Sequence, residues 1–187
     1  MAIVLGLVAA AISLTAQERP ETRMVFTGKN SHGEAWANIS LTTQRLGESY
    51  VPLVVMIVNL DRESVTIDRD AIRLVGRDGK RYPMPTLKEL RTNYGKFSLD
   101  GRAVSGSGIP YEVWQQNRRL IDSNFFPHIS GNRGAIAIDE VTLPQGYAMI
   151  DLVYFAKPRG LRSGEPFLVE IHPIGWDAPL ELGIVLN

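Results

Sequence analysis

Cysteine is absent from the 187 residues. That excludes disulfides, cysteine nucleophiles, zinc–thiolate sites and iron–sulfur clusters together. It also excludes the lipid-bearing cysteine of the usual bacterial lipoprotein. Net charge is absent too: 20 Lys and Arg balance 20 Asp and Glu, so there is no global basic field to gather nucleic acid. Histidine is scarce, at 3 residues, and aromatics make up 8%. No internal repeat or low-complexity tract interrupts the chain. What remains is the composition of a folded domain, 44% hydrophobic and 21% charged.

Two apolar runs stand out. The first, residues 2–14 (AIVLGLVAAAISL), has no charged side chain and is followed by Leu14-Thr15-Ala16 and then a polar stretch. A membrane-spanning helix needs about 20 apolar residues. The pattern therefore predicts a secretory signal peptide over residues 1–16, cleaved after Ala16, or else a short N-terminal anchor. Membrane contact is expected only if that segment stays uncleaved. Residues 17–23 read as a linker, and residues 24–187 as a single domain.

The second run, residues 50–60 (YVPLVVMIVNL), is short and rich in β-branched residues, which disfavours a helix. It predicts a buried central strand. Side chains alternate faces along a strand, yet both faces here are apolar. Each buried aliphatic side chain is worth roughly 1.5–3 kcal/mol, so both faces call for cover, from this chain or from a partner. Further strands are expected at residues 24–27, 34–41, 65–67, 71–75, 81–84, 135–143, 148–155, 167–171 and 180–186. Residues 42–49 read as a polar loop. Asp78-Gly79 marks a hairpin turn. Thr86 with Glu89 forms a capping box that starts a helix, and a second helix is expected over 110–122, with Val113, Trp114, Leu120 and Ile121 on its apolar face. These helices, an insertion at about 86–124, are the candidate cover. The sum is a mainly β, immunoglobulin-like antiparallel β-sandwich with a short two-helix insertion; a partly closed β-barrel is the alternative.

The exported N-terminus, the strand YVPLVVMIVNL with Asn59 near its end, the RLVGRDGKRY hairpin and the late LPQGYAMIDLVYF segment together resemble telokin-like, immunoglobulin-type domains of bacterial envelope or secreted proteins. The resemblance spans about residues 34–186; such domains are mostly of unknown or binding function, so it implies no active site.

The residues themselves point the same way. No G-x-S-x-G elbow is present, and Ser105 and Ser107 lie in a glycine-rich loop. His32, His128 and His172 fall in three separate segments. The acidic residues Asp61, Glu63, Asp68 and Asp70 match no EF-hand loop and read as solvated loop charges. Gly106-x-Gly108 lacks the third glycine of a dinucleotide site. No catalytic residue, cofactor or metal is therefore expected. Trp36 and Trp114 read as core; Trp176 falls in a loop. The candidate partner-binding residues are Trp114, Arg118, Arg119, Phe125, Phe126 and Trp176, with Phe125-Phe126-Pro127 either plugging the sandwich end or forming a docking patch. The function expected is an exported, non-enzymatic binding or accessory domain acting on another envelope protein or complex, periplasmic or extracellular. An N-terminally tethered subunit of a larger membrane-associated complex and an envelope hydrolase acting on carbohydrate or peptide are the alternatives.

Overall fold

In the computed structural model, the described residues are 24–93, 119–126 and 137–186. They form eleven strands and two short α-helices. One sheet has five strands in the order β1 (Val25–Lys29), β2 (Gly33–Asn38), β3 (Tyr50–Asn59), β9 (Tyr147–Ala156) and β7 (Arg119–Asp122). A second sheet has four, in the order β11 (Leu180–Leu186), β10 (Glu165–Ile171), β5 (Ile72–Gly76) and β6 (Arg81–Pro83). A pair, β4 (Val65–Asp68) and β8 (Glu140–Leu143), completes the fold. The sheets stay open, so the mainly β sandwich stands and the barrel does not form.

β3 is the central strand of the first sheet, as its sequence demands. Every residue of β3 after Tyr50 is buried within the single chain, so its cover is internal. Its partner β9 is, apart from Asp151, the other strand apolar on both faces, paired from Tyr50↔Ala156 to Val58↔Ala148. One row across the sheet carries Ala35, Ile57 and Met149 in register with Gly28. A Cβ at Gly28 would stand 2.5 Å from the Glu181 carbonyl oxygen and 3.0 Å from Leu182, so a glycine there lets β1 close against β11. On the second sheet, β11 alternates strictly, with Leu180, Leu182, Ile184 and Leu186 turned inward.

Local signals hold where they are strong. Gly79 takes φ +76° in the turn joining β5 to β6. Helix α2 (Leu87–Thr92) starts on the Thr86–Glu89 capping box, and Leu90 is buried. Three expectations are corrected. The polar loop at 42–49 contains part of helix α1 (Ser40–Gln44), and β2 ends at Asn38, short of residue 41. The second helix of the insertion does not reach 119–122: Arg119–Asp122 is strand β7, parallel to β9 with Leu120↔Ala148. Its Leu-Ile pair fits either period, and pairing with the free edge of β9 decides it. These residues extend the sheet and do not lie over it. The remainder of that expected helix, at 110–118, lies outside the described residues, as does the 1–23 segment. No described helix is long and apolar enough to cross a membrane.

Candidate binding face and the clasped loops

The expected site residues separate into three groups. Trp114 and Arg118 lie outside the described residues, as do Ser105, Ser107, Gly106, Gly108 and His128. Phe125 and Phe126 are buried, at 0% and 3% exposure. Both rings belong to the core, so among the described residues neither is exposed as a docking patch. Trp176 is also buried, at 5%. Arg119 alone of the described set is on the surface; it donates to the Tyr147 hydroxyl at 2.9 Å and lies 5.8 Å over that ring. Trp36 is half-buried, paired with Met56.

Sequence reasoning does not single out the residue that fixes the Phe125-Phe126 plug. Arg69 is buried in the 3-10 turn Arg69–Ala71. Its Nε donates to Asp139 at 2.8 Å, and its other nitrogens donate to the carbonyls of Pro85, Ile138 and Phe125. The guanidinium lies 5.0 Å over the Phe126 ring and 5.7 Å over Phe125. Burial pushes its pKa down, opposed by Asp139 and Asp151. Asp151, buried on β9, accepts from the Phe125 amide at 2.8 Å, and Phe126 meets Tyr154 edge-on at 4.9 Å. The depression beside Arg69, of about 440 Å³, is lined by Asp68, Asp70 and Asp139 among others. Its polar groups are largely committed to the fold: Arg69 as above, and Asp68 to the Ala71 amide.

A second cluster joins three loops. His32, in the β1–β2 turn, meets Asp61 through Nδ1 at 2.7 Å and Asp177 through Nε2 at 2.6 Å. Its ring stacks on Trp176 at 5.5 Å. A neutral imidazole has one N–H and can donate to only one carboxylate; both contacts need the imidazolium. The hydrogen bonds to Asp61 and then Asp177 accordingly raise the His32 pKa above 6.5, and the bond to His32 lowers that of Asp61. Both ring nitrogens are engaged, which leaves none for general-base work in this arrangement. Among the described residues, no group of three His, Asp or Glu side chains stands where it could hold a metal.

The sign of the pH effect comes from these two shifts. A raised histidine pKa contributes stability below about pH 6.5 that is lost as pH rises through the folded-state value; the lowered Asp61 pKa contributes stability above about pH 4 that is lost in acid. Asp61 is held further by the Arg62 amide, whereas Asp177 is 86% exposed, so Asp177 should release first. We expect the thermal midpoint of the wild type to exceed that of His32→Gln at about pH 5.5 and the difference to shrink by about pH 8.5. A difference that stays constant over this range would rule out the clasp.

The third feature lies on the outer face of the second sheet. Val75, Leu168 and Gly183 pair in one row across β5, β10 and β11. They floor a depression of about 480 Å³ that also takes in Pro166, Val185 and Arg77. Gly183 sits mid-strand, exposed, and a Cβ there would meet nothing within 4 Å. The next row is charged: Glu170 lies between Arg73 at 3.3 Å and Arg81 at 3.4 Å, and pairs across with Glu181.

Comparisons with known proteins add little to this geometry. No family model matches the chain, and no curated protein matches it. Among solved structures, the crystal structure of the yjhA protein from Bacillus subtilis is similar at 9% identity, over 76% of each chain, with a TM-score of 0.37. A likeness at that level carries no argument about fold or function.

Proposed function

We propose that the chain is an exported binding module that docks a partner polypeptide on the outer face of the β11-β10-β5-β6 sheet. One observation carries the reading: Gly183. A glycine inside an exposed strand weakens it, by roughly 0.5–1 kcal/mol relative to a residue with a side chain. No neighbour requires the missing Cβ, since the space beside it is open. The β10–β11 register runs unbroken through Gly183, so it is not a bulge, and close approach of another backbone is a use of a mid-strand glycine that fits this open position. Around it, Val75, Pro166, Leu168 and Val185 keep apolar surface in water, against a rim of charged residues, the arrangement of a small interface. The volume of about 480 Å³ lies within the range of ligand sites. Export is supported by the apolar segment at residues 2–14, and a binding role without an active site by the likeness to telokin-like envelope domains.

The polypeptide occupant is favoured by shape. The floor spans three strands, roughly 10 Å across, open along the surface. That suits alternate side chains of an extended chain better than a single acyl chain. Gly183→Val separates the two roles of the position. It should raise stability by about 0.5–1 kcal/mol, read as a higher urea midpoint at unchanged slope, and abolish the co-migration with a partner that this reading expects for the wild type in native mass measurement. A variant that loses stability, or keeps the co-migration, would count against the face.

A further inference from the structure

Resting on that binding face, the geometry points to the chemistry of the partner segment: apolar side chains accompanied by one carboxylate, which Arg77 receives. Among the described residues that line the depression, Arg77 is the only charged one. The cations nearby on β5, β6 and the turn between them are already engaged. Arg73 and Arg81 share Glu170, and the Lys80 ammonium lies 5.3 Å over the Tyr82 ring. Asp78, beside Arg77 in sequence, caps the turn by accepting from the Lys80 amide at 3.0 Å. Arg77 is exposed and forms no ion pair with a described residue. Its planar fork is built to take a carboxylate through two parallel hydrogen bonds. An apolar floor with one free guanidinium at its edge thus fixes both parts of the ligand. Side chains fill the space over Gly183 and Leu168, and the carboxylate stops at Arg77. Docking would also shield that pair from water and strengthen it relative to a fully exposed one.

The test uses the full-length protein and three probes: N-acetyl-Leu-Val-Leu as the free acid, the same tripeptide as its carboxamide, and dodecanoate. Backbone amide shifts of Gly76, Leu168 and Gly183 report occupancy. The acid should bind roughly five-fold tighter than the carboxamide. Arg77→Gln should erase that difference and leave carboxamide binding unchanged. Equal affinity of acid and carboxamide would overturn the carboxylate inference while the binding face stands. Failure of every probe to shift these amides would overturn the binding face itself. Binding of dodecanoate without either peptide would replace the polypeptide occupant with an acyl chain.

Discussion

Arg69→Met should destabilise the protein by about 3–4 kcal/mol, a fall in thermal midpoint of roughly 6–16 °C for a domain of this size. Methionine keeps much of the packing volume, so the loss reports the hydrogen bonds. The carbonyls of Phe125, Ile138 and Pro85 are left without their donor, and each buried acceptor stranded in this way costs about 1–3 kcal/mol. The Asp139 carboxylate, 62% exposed, returns to water at little cost. Asp139→Asn should accordingly cost less than about 1 kcal/mol. Chemical denaturation of the two variants separates the cases. Equal losses would mean that the ion pair matters and the carbonyl fork does not. Arg69→Lys should recover only part of the loss, because an ammonium cannot reach four acceptors arranged around a planar fork.

Phe125→Ala should cost about 3–5 kcal/mol, the range for emptying a fully buried aromatic site. The ring is buried beneath the Arg69 guanidinium, and the cavity would form where the loop after β7 is fastened to β9 through the Phe125 amide and Asp151. Phe126→Ala loses its edge-on contact with Tyr154 as well. A Phe125 variant with a wild-type denaturation midpoint and impaired partner binding would restore the docking patch that burial argues against.

The features legible in the sequence are those written in a few adjacent residues. The hairpin at Asp78-Gly79, the capping box at Thr86 and Glu89, and the doubly apolar strand at 50–60 each carry their reason locally. So does the pairing of the two doubly apolar strands, since each needs a buried place in a sheet. Helix α1 shows the opposite case. Three of the five residues of Ser40–Gln44, namely Ser40, Thr42 and Thr43, are poor helix formers, and Ile39 at its start supplies no side-chain cap. It is helical where Thr42 is buried and donates its hydroxyl to the Pro52 carbonyl. That contact comes from the fold and not from the five residues themselves.

The candidate sites are less legible because they join distant residues. His32 and Asp177 are 145 positions apart, and Arg69 gathers groups from three later segments. Nothing in the spacing of single histidines or arginines announces such meetings. Gly183 is different: in LELGIVL it falls at an outward position, between Glu181 and Val185, inside a run that otherwise reads as a strand, a signal contained in those seven residues alone. What the fold adds is that Val75 and Leu168 stand beside it and Arg77 at the edge.

A photo-crosslinking residue placed at Leu168, compared with one at exposed Thr142 on β8, tests the binding face most directly. Both positions are probed in cells that make the full-length protein. A partner docked on this face gives one discrete polypeptide adduct from position 168 and none from position 142. Adducts of equal yield from both positions, or none from 168, would contradict it.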